Sequence, residues 1–132
     1  MMKVASGGEL SRFLLALKVV LADRGSAPVL IFDEIDTGVG GAVADAIGQR
    51  LSRLSRKVQV ITVTHAPQVA ARADHHFLIT KSTADRGRRV VTEVMSLASE
   101  PRREEIARML AGAEITSEAR AAADRLLRAA AS

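Results

Sequence analysis

Hydrophobic positions along the chain alternate between two kinds of spacing. Leu10, Phe13, Leu14, Leu17 and Leu21 recur as one face of a helix. Ser6 is suited to cap that helix, with Glu9 three residues on completing a capping box. Asp23-Arg24-Gly25-Ser26 ends it. Val29-Leu30-Ile31-Phe32 is then a continuous apolar run, the pattern of a strand buried on both faces of a parallel sheet. A loop follows over Asp36–Gly41, and Val43, Ile47, Leu51 and Leu54 line one side of a second helix over 42–54.

Val58 to Val63 predicts a second buried strand ending in Thr64-His65, and Pro67 opens a short helix reaching about Arg72. A third strand over 76–80 and a fourth over 90–95 flank a polar, glycine-containing turn, a hairpin arrangement. Pro101 opens a helix through Ile106, Met109 and Leu110 that Gly112 stops. Thr116 caps a last helix whose alanine-rich end, 121–131, is expected to fray. The β-α-β-α-β order predicts an α/β fold with a mainly parallel sheet flanked by helices.

Composition narrows the chemistry. The 132 residues fit one domain, with apolar residues at 48% and charged residues at 26%, a globular rather than disordered balance. No cysteine is present, which excludes a disulfide scaffold, a thiolate metal site and a cysteine nucleophile. It also favours a reducing, cytoplasmic setting. Phe13, Phe32 and Phe77 are the only aromatic residues, too few for the stacking platforms of single-strand or RNA-binding folds. The net charge of +4 is spread out, so Arg88, Arg89, Arg102 and Arg103 read as solvated surface charge more readily than as phosphate contacts. The longest apolar run, Phe13–Ala22, is interrupted by Lys18 and is too short to span a bilayer, so no membrane role is expected. The start of the chain has no signal-peptide pattern and enters a motif almost at once, as expected of a piece of a longer protein.

Three segments carry candidate chemistry. Asp33 and Glu34 close the first strand, and in open α/β sheets ligands bind beyond the carboxyl ends of the strands. Adjacent carboxylates there suit one hard cation, Mg²⁺, at Asp33 and a water-activating base at Glu34. Ser6-Gly7-Gly8-Glu9 sits at a helix start, where unsatisfied amides and the close approach that glycine allows favour an anion, as well as an ordinary cap. His65 ends the second strand, at the same sheet edge as the acidic pair, placed to donate to a phosphate or a water. A zinc site from His65, His75 and His76 is disfavoured, because neighbouring strand residues point to opposite faces.

Taken in order, these segments resemble the C-terminal half of an ABC-type ATPase head. Ser6-Gly7-Gly8-Glu9 looks like the signature motif, Val29–Glu34 like Walker B, Asp36–Gly41 like the D-loop, and His65 like the switch histidine. Val4–Arg12, Phe32–Gly41, Thr62–Ala71 and the tail from Glu105 to Thr116 are similar to the RecN family of bacterial double-strand-break repair ATPases, relatives of SMC proteins. Ala5 departs from the leucine common in transporters, and Ala66 from the leucine usual in RecN.

The resemblance implies a single unit over 1–132: a signature helix over 1–24, Walker B to hairpin over 28–95, and C-terminal helices over 100–132. No G-x-x-x-x-G-K-[ST] occurs in the sequence, so the lobe that grips the phosphates lies elsewhere. By resemblance, ATP and Mg²⁺ bind the complete head and neither binds the fragment tightly. The implied partners are the missing Walker A lobe, a second head in an ATP-sandwich dimer, and DNA through the full-length protein, nucleoid-associated in the cytoplasm. Asp33 would order the cation, Glu34 act as general base, and His65 position the γ-phosphate. Ser6, Gly7, Gly8 and Glu9 would meet the nucleotide of the facing head, and Asp36 would signal across the dimer. The fragment alone is expected to be inactive. In related folds the P-loop strand lies between the strands ending at His65 and beginning at His76, so an open gap, with self-association or local disorder, is expected there. The alternatives are the ATPase half of another ABC protein, a transporter or other SMC-like protein, and a non-catalytic interaction module.

Overall fold

The computed structural model describes Ala16 and residues 28–84, 89–112 and 114–131. Its elements run β1 (Val29–Asp33), α1 (Gly41–Leu54), β2 (Gln59–Val63), α2 (Pro67–Ala70), β3 (Phe77–Ala84), β4 (Arg89–Ser96), α3 (Ser99–Ala111) and α4 (Ser117–Ala130). The expected first helix lies outside the described residues except for Ala16, which is helical.

β1 and β2 pair in parallel, with Val29 opposite Gln59 and Asp33 opposite Val63. Parallel neighbours need a crossover between them, and α1 supplies it. Alternation along the strands turns Leu30, Phe32 and Val60 towards α1 and α2. There Phe32, Ala44, Ile47, Leu51, Leu54 and Val69 form a buried core. The opposite face is open: Val29, Ile31, Ile61 and Val63 are exposed. The expectation of strands buried on both faces is thus corrected for the described residues. A continuous apolar run is satisfied on both sides only where two layers cover it, and α1 and α2 form one layer.

α1 lies close against α2, and Gly48 makes this possible. A Cβ on Gly48 would sit 3.2 Å from the Gln68 carbonyl oxygen and 3.3 Å from the Val69 Cα. Asp45 and Arg72 brace the same contact with an ion pair at 2.8 Å.

β3 and β4 form the expected antiparallel hairpin, in register from Phe77 opposite Ser96 to Ala84 opposite Arg89. The strands extend further towards the turn than the sequence pattern implies. Among the described residues β2 and β3 do not pair, and the two two-stranded sheets are separate.

A second core joins α2 to α3 and α4 through Ala70, Ala71, Ile106, Ala107, Ala119 and Ala123. Small side chains let these helices approach closely. α3 begins at Ser99, two residues before Pro101, and stops at Gly112, whose φ of 78° suits glycine. Thr116 caps α4 by accepting the Ala119 amide, and the helix continues through the alanine-rich segment to Ala130. Paired guanidinium–carboxylate contacts, Arg103 to Asp124 and Arg120 to Glu104, tie α3 to α4.

Arg102 has a different task. Its Nη2 donates to the carbonyl oxygens of Ala70, Ala71 and Ala73 at 3.3, 3.1 and 2.5 Å. These carbonyls lie at and just beyond the C-terminal end of α2, where helix carbonyls run short of donors. Arg102 is therefore an internal fastener and not the solvated surface charge expected from sequence, while Arg103 stays at the surface and is engaged with Asp124.

Candidate functional site

The site stands at the carboxyl ends of β1 and β2. Because the strands are parallel and Asp33 lies opposite Val63, residues 33–34 and 64–65 leave the sheet at one edge. The structure thus brings Asp33, Glu34, Asp36 and His65 to one end of one sheet. Ser6, Gly7, Gly8 and Glu9 lie outside the described residues.

Asp33 is the last residue of β1. It alternates with the buried Phe32 and is exposed. Glu34 leaves the strand with φ at +47°, a left-handed conformation that costs a residue with a Cβ about 1–2 kcal/mol. Its amide donates to the Val63 carbonyl oxygen at 3.0 Å, so the first residue past β1 remains tied to the end of β2. Backbone strain of this kind persists only where the surroundings enforce it, and it concentrates at functional sites. Glu34 itself is exposed, with its carboxylate free to meet a ligand.

The following loop folds back by local hydrogen bonds. Thr37 N–H donates to the Glu34 carbonyl at 3.2 Å, and Val39 N–H to the Asp36 carbonyl at 3.3 Å. Ile35 and Val39 pack against the core and draw Asp36 inward until it is only 2% exposed. Gly38, with φ at +72°, makes the turn that returns the chain to α1.

The buried Asp36 carboxylate meets Thr64. The Thr64 hydroxyl donates to Asp36 Oδ2, and its oxygen accepts the Ala66 amide at 2.9 Å. His65 sits between these two anchors and is exposed. Pro67 at the start of α2 fixes the exit from the turn.

Sequence reasoning missed Thr64. Its signal was present, since a threonine two residues before a helix N-cap commonly turns its hydroxyl onto nearby backbone. The buried partner 28 residues upstream was not legible locally. Among the described residues, no cluster of three His, Asp or Glu side chains could hold a metal ion by itself. One carboxylate at an exposed edge is a donor set that suits Mg²⁺, which keeps waters and takes further oxygens from phosphate.

Comparison with known proteins shows what the chain resembles. A DNA repair protein RecN from Rickettsia felis is 51% identical over 125 residues, covering 95% of this chain and 22% of that protein. The Xylella fastidiosa RecN is 48% identical over 127 residues, again covering 95% of this chain. The chain is RecN-like over nearly its whole length. A RecN from Halalkalibacterium halodurans adds 51% identity over 114 residues. The chain spans about a fifth of the length of these relatives. No protein-family model matches it.

Among solved structures, one described as "Structural biochemistry of ATP-driven dimerization and DNA stimulated activation of SMC ATPases" is similar with a TM-score of 0.56 and 30% identity. That match covers 71% of this chain and 55% of the other. The RecN-like chain therefore has an SMC ATPase-like α/β fold. No helix among the described residues is long and apolar enough to cross a membrane.

Proposed function

We propose that this RecN-like chain is the C-terminal part of an ATPase head acting in DNA double-strand-break repair, and that its sheet edge at Asp33, Glu34 and His65 completes an ATP site whose phosphate cradle lies on another lobe. The observation that carries this reading is the convergence of β1 and β2 on that edge, with Glu34 held there in a left-handed turn.

Bound Mg-ATP would supply the scissile phosphoanhydride and a cation that neutralises its charge. Asp33 would hold that cation through a carboxylate oxygen. Glu34 takes a proton from the attacking water as the new oxygen–phosphorus bond forms and the bond to the leaving diphosphate breaks. His65 donates a hydrogen bond to the transferring phosphate. Ser6, Gly7, Gly8 and Glu9 belong, on this reading, to the nucleotide of a facing head, and Asp36 to the path between heads. The close similarity to RecN across 95% of the chain supports repair as the setting, and the likeness to an SMC ATPase supports dimerisation of heads.

Reconstitution tests this. The 132-residue chain is mixed with the Walker A lobe of a RecN protein, and ATP turnover is followed. Turnover by the mixture and none by either part is expected; no turnover despite a stable complex would overturn the reading.

A further inference from the structure

We propose that Thr64 is a positioning residue that couples the Asp36 loop to the His65 turn. The inference rests on the proposed ATP site and adds a residue to it.

One hydroxyl serves two segments: it donates to the Asp36 carboxylate and accepts the Ala66 amide. Thr64 is thus bonded across the sheet edge and across His65. A hydroxyl has one proton, so giving it to Asp36 orients the oxygen lone pairs towards Ala66. The two bonds are cooperative, and loss of the first loosens the second.

Burial makes the link stiff. Asp36 is 2% exposed, and Ile35 and Val39 on either side are packed into the core. The loop therefore cannot shift without moving Asp36, and Asp36 cannot move without releasing Thr64. A second tie lies alongside, the Glu34 amide on the Val63 carbonyl, one residue before Thr64. The acidic pair and the histidine are in this way clamped by two adjacent bonds between the same two strand ends.

Asp36 keeps an uncommitted acceptor. Its Oδ1 is buried with no hydrogen-bond partner in the described structure. The Thr64 hydroxyl is the side-chain donor on Oδ2 among the described residues, so this bond carries the orientation of the carboxylate. A displacement of the Asp36 loop is transmitted to His65 through this hydroxyl, with no change needed in β1 or β2.

The experiment compares Thr64→Val and Thr64→Ser with the wild-type chain. In the 132-residue chain, Thr64→Val raises the hydrogen-exchange rate of the Ala66 amide about tenfold, as expected for one lost hydrogen bond, and shifts the His65 ring resonances. Thr64→Ser restores both. Unchanged exchange at Ala66 in Thr64→Val, with core amides such as Leu51 still protected, would overturn the coupling. If Thr64→Val fails to fold, the wild type and Thr64→Ser decide it: the Ala66 amide must be protected in both, and its rapid exchange refutes the link. In the reconstituted head, Thr64→Val lowers kcat about 10- to 100-fold with KM little changed, the signature of misplacement, and Thr64→Ser recovers it. An unaltered kcat would refute positioning. Absence of turnover in the wild-type head would instead refute the ATPase reading, while the exchange measurements still judge the Thr64 link.

Discussion

Glu34 donates its amide to the Val63 carbonyl at 3.0 Å while its own φ stands at +47°. The hydrogen bond and the strain belong together. Carrying the chain from β1 across the end of β2 requires a backbone turn that an L-residue resists, and the bond to Val63 holds it there. A glycine would take the turn without cost, so the presence of glutamate points to its carboxylate. Elsewhere in a fold, alanine outdoes glycine because glycine loses more conformational freedom.

Position 34 should reverse that order. Glu34→Gly is expected to be more stable than Glu34→Ala by about 1 kcal/mol. Urea denaturation of the two variants checks this. Equal midpoints, or a more stable alanine variant, would show that the turn is unstrained.

Gly48 predicts the opposite sensitivity. A larger side chain there meets the backbone of Gln68 and Val69, which cannot swing aside as a flexible side chain can. Gly48→Val should destabilise the chain by about 1–3 kcal/mol through overpacking between α1 and α2. Thermal unfolding gives the comparison, and an unchanged midpoint would mean that α2 yields freely.

Removing the Arg102 guanidinium should cost about 2 kcal/mol, because three carbonyl oxygens at the end of α2 lose a charged donor. Arg102→Met retains much of the apolar stem, so the loss in denaturant stability reports the polar contacts. Stability equal to the wild type would return Arg102 to the solvated surface role.

His76 makes the fold sensitive to mild acid. Burial pushes its pKa below the ordinary 6.5, with the positive Arg102 adding to that and Glu105 opposing it. The folded chain thus favours the neutral ring. Its contribution is present above pH 6.5 and is lost as pH falls from there through the lowered folded value. Wild-type stability should fall between pH 7.5 and 5.5 by more than that of His76→Asn. Parallel curves for the two proteins would contradict the assignment.

Much of this arrangement is legible in the sequence. The apolar runs before Asp33 and Thr64 marked both strands, and their common direction followed from the helix between them. Thr116, Gly112 and Pro67 announced their helix ends because capping is a local property of the chain. Burial was harder to read. Val29 to Phe32 is apolar on both faces, and nothing local to it specifies how many layers cover a sheet. Arg102 is hidden from sequence for a related reason: an arginine in a charged helix looks solvated until the end of another helix is placed beside it. The Asp36–Thr64 contact joins residues 28 apart in sequence, and only the parallel register brings them together.

The central claim is that Glu34 serves an ATP site shared with another lobe. Single-turnover hydrolysis of Mg-ATP in the assembled head, wild type against Glu34→Gln, tests it most directly. The account predicts that Glu34→Gln binds nucleotide as the wild type does, hydrolyses it at least about 100-fold more slowly and accumulates as closed head dimers. Wild-type hydrolysis by Glu34→Gln would contradict it.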